Sequence, residues 1–192
     1  MATEANIVGD EELVQRGRQG DAQAFGLLVE RYQDPIYTLV SRTLGDPVRA
    51  QDVAQETFIR AWRALPGFHG QSKFSSWLYR IALNCCYSEL RRRGVPAETL
   101  DPEQWDGLKD AASEGGIERD LERRDLVERL LRRLPPLYRY LVTLFYLEGL
   151  DCQEIARITE RPVGTVKAYL HRARAELRRG AEHLLKVRNT AS

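Results

Sequence analysis

The sequence contains few of the residues that build disulfide, metal or catalytic sites. Its 192 residues include three histidines and three cysteines, Cys85, Cys86 and Cys152. Three is an odd count and adjacent cysteines rarely bond to each other, so we expect neither a disulfide framework nor a structural zinc site. No nucleophile stands in a pattern with a base or a metal-ligand set. We therefore expect no catalytic residue, no metal and no cofactor, which argues against an enzyme.

Long apolar runs and an excess of charge of one sign are also missing. Without a membrane-length segment or a signal peptide, the sequence predicts a reduced, cytoplasmic protein. The formal net charge is only +1. The charge is nevertheless uneven, since residues 95–117 hold 1 basic and 6 acidic residues and residues 118–192 hold 16 basic and 11 acidic residues. The basic surplus near the C-terminal part is where a nucleic-acid partner is expected.

Alternation typical of β-strands is missing as well, and nearly every periodic segment has helical spacing. We predict an all-α fold of two small helical domains, 1–94 and 118–192. Between them, residues 95–117 have two prolines, three glycines and little periodicity. This composition predicts a flexible acidic linker.

Glycine and proline positions predict where the helices begin and end. A break is expected at Asp34-Pro35, because proline is favoured in the first turn of a helix. The expected helices span 10–19, 21–32, 34–44, 46–65, 74–93, 118–134, 137–147 and 151–159, followed by a last helix after Gly164.

Residues 150–179 have the pattern of a helix-turn-helix with a basic second helix. Asp151 is a plausible N-cap, and Pro162 cannot lie inside a continuous helix, so it marks the turn. The apolar stripe of the second helix, at roughly 100° per residue, consists of Val166, Leu170, Ala173 and Leu177. The opposite face carries Lys167, Ala168, His171, Arg172, Ala175 and Arg179. Such a face fits the major groove of duplex DNA; the alternative is an ordinary solvated basic face.

The helix predicted over 46–65 has a second polar face with one apolar residue. Its buried stripe is expected to consist of Ala54, Phe58, Ala61, Trp62 and Leu65. The opposite face carries Asp52, Glu56, Ile59, Arg60 and Arg63, with Gln55 at its margin. A polar face with one apolar anchor is typical of a protein-docking surface, and a solvated helix face remains the alternative.

A loop between glycines precedes the helix predicted over 74–93. It carries Phe68, His69, Gln71, Ser72 and Lys73. Aromatic rings interleaved with cations suit single-stranded nucleic acid. Trp77 shares a stripe with Ile81 and is expected to pack in the core, so the loop is the better candidate for base contacts.

The order and spacing of these elements resemble the extracytoplasmic-function (ECF) class of bacterial σ factors, in the σ70 family. Region two of that family resembles GDAQAFGLLVERYQDPIY, DVAQETFIRAW and KFSSWLYRIALN. Region four resembles LPPLYRYLVTLFYLEGLDCQEIA and PVGTVKAYLHRARAEL. The resemblance implies a σ2 domain over 1–94, a connector over 95–117 and a σ4 domain over 118–192. It covers nearly the whole chain.

The resemblance also implies roles for individual residues. Contact with core RNA polymerase would be made by Asp52, Gln55, Glu56, Ile59 and Arg60. The single-stranded −10 element would be read by Arg63, Phe68, His69, Gln71, Ser72, Lys73, Asn84, Arg91 and Arg92. The duplex −35 element would be read by Thr165, Lys167, Ala168, His171, Arg172 and Arg174.

The implied partners are core RNA polymerase, promoter DNA and an anti-σ factor that holds the protein inactive until a stress signal arrives. Two places depart from the family pattern: Ser88 stands where an aspartate is usual, and Ala168 and Tyr169 replace a preferred arginine or serine. The promoter sequence therefore does not follow from the resemblance. The alternative function is a self-sufficient helix-turn-helix regulator, which would need a dimerisation surface and two half-sites.

Overall fold

The computed structural model of the protein describes residues 8–96 and 121–190, with side chains at 8–96 and 126–183. All regular structure in these ranges is helical. The helices are α1 (Asp10–Arg18), α2 (Ala22–Leu44), α3 (Pro47–Ala64), α4 (Phe74–Arg92), α5 (Leu121–Arg132), α6 (Pro136–Tyr146), α7 (Cys152–Thr159) and α8 (Val163–Thr190), with a 3-10 turn at Leu65–Gly67. Most of the predicted linker and the start predicted for the sixth helix lie outside the described residues.

Side-chain caps explain why the helices begin where the sequence predicts. The carboxylate of Asp21 accepts hydrogen bonds from the backbone N–H groups of Gln23 and Ala24 at 2.9 and 3.0 Å. These bonds, that from Ala24 above all, hold the pKa of Asp21 below its usual value. The carboxylate of Asp46 accepts from the backbone N–H of Arg49 at 3.2 Å. Each cap satisfies donors that the first helical turn leaves open.

The predicted break at Asp34-Pro35 is wrong, because α2 continues through both residues from Ala22 to Leu44. Proline inside a helix removes one backbone hydrogen bond and costs about 3 kcal/mol. Against that, Leu28, Ile36 and Leu39 are fully buried on either side of Pro35. Burying each side chain contributes about 1.5–3 kcal/mol. A break would separate these residues, so core packing outweighs the lost bond.

The second helical lobe is organised around α6, in which every residue from Pro136 to Leu144 is buried. This helix packs against α2, and α7 packs against α4. The hydroxyl of Tyr140 donates to the carbonyl oxygen of Tyr79, whose own hydroxyl donates to Glu148 at 2.6 Å. The core is therefore continuous between the lobe formed by α1–α4 and the lobe formed by α5–α8.

Ion pairs add to this contact between the lobes. Arg42 meets Glu128 at 2.9 Å, and Arg80 meets Glu160 at 3.0 Å and the carbonyl oxygen of Arg157 at 2.6 Å. Pairs of this kind contribute little when exposed. The ion pairs fix the relative position of the two lobes, and the apolar core contributes most of the free energy of their contact.

Arg139 is the exception to the apolar character of α6. It is buried beside Gly45, and its Nε has no hydrogen-bond partner among the described residues. Burial lowers the pKa of its guanidinium to about 10. The buried cation makes this contact between the lobes less favourable than an apolar one.

The thiols of Cys85 and Cys86 are buried, and burial raises the pKa of both. They therefore act as small packing groups. None of the helices in the described ranges combines the length and the apolar character that a membrane crossing needs. Across the same residues, no three His, Cys, Asp or Glu side chains are placed to hold a metal ion.

Candidate nucleic-acid and protein interfaces

The basic face predicted for the last helix is exposed on α8. Val166, Leu170 and Ala173 are buried against the lobe. The face turned to solvent consists of Lys167, Ala168, His171, Arg172 and Arg179. The helix that carries this face follows α7 in the chain. At the start of α7, Asp151 and Glu154 form a reciprocal capping box that fixes the first helix of the pair.

Tyr169 does not belong to the exposed face. Its side chain is only 3% exposed, and its ring lies 5.0 Å from that of Tyr138 on α6. The guanidinium of Arg161 lies 5.9 Å above the same ring. The departure from the family pattern at this position is therefore a packing change, whereas Ala168 is exposed on the basic face.

Thr165 and Arg174 lie at opposite edges of the exposed face. Thr165 is half-buried near the start of α8. Arg174 donates from Nε to the carbonyl oxygen of Leu170 at 3.2 Å and borders an apolar groove beside Leu177. The structure thus brings Lys167, Ala168, His171 and Arg172 together at the centre of the face. Thr165 and Arg174 lie at its margin.

The face of α3 that was predicted to dock a protein is also exposed. Asp52, Gln55 and Arg60 are exposed, Glu56 is half-buried, and Ile59 keeps 39% of its surface exposed. Arg60 donates from Nε to Glu56 at 2.7 Å, and this bond raises the pKa of the guanidinium. A fixed charge pair with an exposed isoleucine beside it can orient a partner.

Arg63 is exposed one turn further along α3, on the side of Ile59 and Arg60. Its position associates it with the α3 face and not with the loop that follows.

The glycine-bounded loop borders an open cavity of about 360 Å³. One side of the cavity is formed by Phe68, His69, Gly70, Ser72, Lys73 and Phe74. Phe68 is only 8% exposed, and its ring lies 4.8 Å from that of Trp77 and 6.3 Å from that of Phe74. Phe68 therefore lines the cavity as part of a buried aromatic cluster, whereas His69 and Lys73 remain accessible.

Asn84, Arg91 and Arg92 follow the loop along α4 and are all exposed. Asn84 lies about 15 Å from the start of α4, at 1.5 Å per residue. Ser88 donates to the carbonyl oxygen of Asn84 at 2.9 Å, and the buried carboxylate of Glu89 pairs with Arg92. These residues form a polar track that leads away from the cavity and do not line it.

Two features were not predicted from the sequence. The far side of the cavity is formed by α1, through Asp10, Glu11, Val14, Gln15 and Arg18. An apolar groove of about 890 Å³ lies between α5, α6 and α8. Its margin includes the exposed side chains of Val127, Tyr146 and Leu147. The neighbouring apolar residues Tyr146 and Leu147, two residues before Gly149, were the available signal for the groove.

The loop and the helix-turn-helix are joined in this structure. Lys73 contacts Glu154 at 2.7 Å, and this hydrogen bond is the main cause of the lowered pKa of Glu154. A cation of the loop is therefore engaged by the other lobe.

Comparison with known proteins gives matches to both lobes. The family model described as Sigma-70 region 2 matches residues 28–95, and that described as Sigma-70, region 4 matches residues 124–177. The RNA polymerase sigma-H factor of Pseudomonas aeruginosa is 42% identical over 188 residues, covering 92% of this chain and 96% of the relative. The ECF RNA polymerase sigma-E factor of Escherichia coli K12 is 39% identical over 187 residues, with the same shares.

Solved structures give the same correspondence. CnrH, solved in complex with the cytosolic domain of CnrY, superposes with a TM-score of 0.65 at 26% identity, covering 93% of this chain and 97% of that chain. The σ factor RpoE of Bartonella quintana, solved in complex with the anti-σ factor NepR, gives a TM-score of 0.65 at 23% identity, over 84% and 98% of the chains. The second likeness supports the fold alone.

Proposed function

The chain belongs to the ECF class of the σ70 family, and on this basis we propose how its residues divide the work of promoter recognition. It is a transcription initiation factor that binds core RNA polymerase and directs it to promoters. The family is not enzymatic. We propose that the lobe of α1–α4 acts as σ2, the lobe of α5–α8 as σ4, and residues 95–117 as their connector.

Core polymerase is bound by the exposed face of α3. Asp52, Gln55, Glu56, Ile59 and Arg60 carry this contact. The support for this assignment is the combination of an exposed isoleucine with a charge pair held at 2.7 Å. Apolar anchors surrounded by polar residues supply most of the energy of protein interfaces.

The −10 element is read as a single strand by the loop and α4. His69, Ser72 and Lys73 contact a base that is flipped into the cavity, and Phe68 forms the aromatic floor beneath it. Gln71 is exposed in the same loop but does not line the cavity, and it contacts the strand next to the flipped base. Unstacking a base costs a few kcal/mol, which contacts in the pocket must offset. Asn84, Arg91 and Arg92 hold the strand upstream of the flipped base. Arg63 lies on the α3 side and holds the backbone there.

The −35 element is read as duplex DNA by α8. Lys167, His171 and Arg172 reach base edges and phosphates, and Ala168 permits close approach to the groove. Thr165 and Arg174, at the two edges of this face, contact the flanking backbone. Phosphate contacts of this kind set register and base contacts set sequence.

An anti-σ factor covers the protein in the cytoplasm, where its polymerase and promoter partners are, until a stress signal releases it. The apolar groove between α5, α6 and α8 fits an amphipathic helix of such a partner, because exposed patches of large apolar side chains mark interaction sites.

One observation supports the proposal: a single chain presents an exposed basic face on α8, a cavity of about 360 Å³ at the loop and an exposed polar face with an apolar residue on α3. A self-sufficient regulator would not need the exposed face on α3, because it does not bind polymerase.

The test is run-off transcription from a promoter library by bacterial core polymerase, with and without the protein. Transcripts that depend on the protein and share two upstream elements are expected. Tight binding to duplex promoter DNA without polymerase, and no transcripts, would establish the regulator instead.

A further inference from the structure

The cavity beside the loop has two walls, and only one of them belongs to the loop. Val14 of α1, together with Phe68 and Phe74, forms an apolar floor. Gln15, Arg18, His69 and Lys73 stand around the rim. A flat apolar surface with polar groups at its edge matches a nucleobase, which stacks through its face and forms hydrogen bonds through its edge.

Helix α1 is held firmly enough to act as a wall. A Cβ on Gly17 would lie 2.8 Å from Cδ2 of Leu65, so the helix approaches the 3-10 turn closely. At its other end, the carboxylate of Asp10 accepts hydrogen bonds from both Arg31 and Tyr32 of α2. The residues between these two attachments are therefore placed before any DNA arrives, which reduces the entropic cost of binding.

Arg18 has donors that the protein does not use. Its Nε is buried and has no hydrogen-bond partner among the described residues, and its Nη2 lies 3.4 Å from Nδ1 of His69. Because Arg18 lines the cavity, the outer nitrogens of its guanidinium can donate to the edge of a base bound there. Gln15 is exposed one turn earlier on the same side of α1 and adds an amide donor and acceptor.

We infer that Gln15 and Arg18 of α1 select the base that enters this cavity. The inference rests on the proposed function, since it assumes that the cavity receives a flipped base of the −10 element. Arg18 presents only donors, and its guanidinium can donate two parallel hydrogen bonds to neighbouring acceptors on one base edge. Guanine and cytosine offer such a pair, a carbonyl oxygen beside a ring nitrogen, whereas adenine offers ring nitrogens beside an amino group that donates, so Arg18 favours guanine or cytosine over adenine.

The experiment measures binding of non-template −10 oligonucleotides to the holoenzyme, with each of the four bases at each position. Wild-type holoenzyme is expected to bind guanine or cytosine more tightly than adenine at one position. Arg18→Ala is expected to reduce that preference roughly tenfold and at that position only, as for the loss of one good base contact. Gln15→Ala is expected to act at the same position.

Matched controls come from the same helix. Arg16→Ala is the control for Arg18→Ala, because it also removes one positive charge but from a side chain that pairs with Asp21 outside the cavity. Gln19→Ala is the control for Gln15→Ala, because it removes an exposed amide that does not line the cavity. Neither is expected to change the base preference. Arg18→Lys keeps the charge and loses the guanidinium fork, so it is expected to keep overall affinity and lose selectivity.

Two outcomes would overturn the inference. Arg18→Ala and Arg16→Ala could lower affinity equally for all bases, which would leave Arg18 only a charge. Arg18→Lys could retain full base selectivity, which would show that the shape of the guanidinium does not select the base. If Arg18→Ala does not fold, Arg18→Lys alone tests the inference. Failure of the proposed function would look different from failure of this inference, because the wild-type holoenzyme would then show no base preference at any position.

Discussion

The ammonium group of Lys73, in the loop that lines the cavity, lies 2.7 Å from a carboxylate oxygen of Glu154 in the first turn of α7. The other oxygen of the same carboxylate accepts the backbone N–H of Asp151 at 3.2 Å and so closes the capping box. The Lys73 side chain is 73% exposed and that of Glu154 only 17%. One carboxylate therefore both caps the helix-turn-helix and holds a cation of the other lobe.

Glu154→Gln is expected to release Lys73 without unfolding α7. Glutamine can still close a capping box, but it cannot form the ion pair. A pair this exposed contributes at most about 1 kcal/mol, which corresponds to up to roughly fivefold in affinity. We expect the free chain to bind a single-stranded −10 oligonucleotide a few-fold more tightly, as measured by fluorescence anisotropy.

Glu30→Gln is the control for this change, because Glu30 is exposed on α2 and its loss alters net charge equally. If both variants bind more tightly to the same extent, the gain comes from overall charge and the pairing with Lys73 does not restrain the loop.

The helix caps and faces were predictable from the sequence, because they depend on local chemistry. Asp21, Asp46 and Asp151 cap helices that begin at the predicted positions. Val166, Leu170 and Ala173 of the predicted α8 stripe are buried, because the stripe depends only on helical periodicity. Pro35 was misjudged because its local cost is outweighed by packing that a sequence window does not contain. The burial of Phe68 could not be predicted from the sequence, because it depends on contacts with the rings of Phe74 and Trp77.

The cavity wall and the contact between the lobes depend on residues far apart in the chain. Arg18 and His69 are 51 positions apart, and Tyr79 and Tyr140 are 61 apart. No spacing rule connects them. The burial of α6 from Pro136 to Leu144 did have a signal, since apolar residues occur on every side of that helix, which is typical of a helix surrounded by protein.

Tyr140→Phe is expected to weaken the contact between the lobes. The hydroxyl of Tyr140 donates to a backbone oxygen of the other lobe and is fully buried. Loss of such a bond costs about 0.5–1.5 kcal/mol. Urea unfolding should show this loss, whereas Tyr37→Phe, at an exposed position on α2, should not. Equal stability of the two variants would mean that the lobes do not form this bond in solution.

Gly45→Ala and Gly26→Ala are expected to change stability in opposite directions. Gly45 ends α2 with φ of 67°, and a Cβ there would lie 2.8 Å from Nη1 of the buried Arg139. Alanine at a left-handed position costs about 1–2 kcal/mol. Gly26 lies inside the same helix with open space around it, so alanine there should stabilise by about 0.5–1 kcal/mol. Urea unfolding measures both changes, and destabilisation by both would contradict the reasoning.

Arg172→Ala is expected to reduce transcription from promoters that depend on a −35 element. One lost base or phosphate contact costs about 1–3 kcal/mol, so the activity should fall by roughly tenfold at limiting holoenzyme. Affinity for core polymerase should be unchanged in a pull-down. Arg132→Ala, at an exposed position on α5, is the control for loss of charge. An equal loss of core affinity in Arg172→Ala would show that α8 is not dedicated to DNA.

Reversing charge on α3 is expected to abolish holoenzyme formation. Asp52→Arg with Glu56→Arg replaces two carboxylates, four residues apart, on the exposed face and removes the Glu56–Arg60 pair. Because Ala50, Val53, Ala54 and Thr57 carry the packing of this helix, circular dichroism should remain that of the wild type. Size-exclusion chromatography with core polymerase should then show no co-elution.

The matched control is Glu30→Arg with Asp34→Arg, which makes the same changes at the same spacing on an exposed part of α2 and should co-elute normally. Normal co-elution of the α3 variant would remove the docking assignment, and failure of both variants would attribute the loss to net charge.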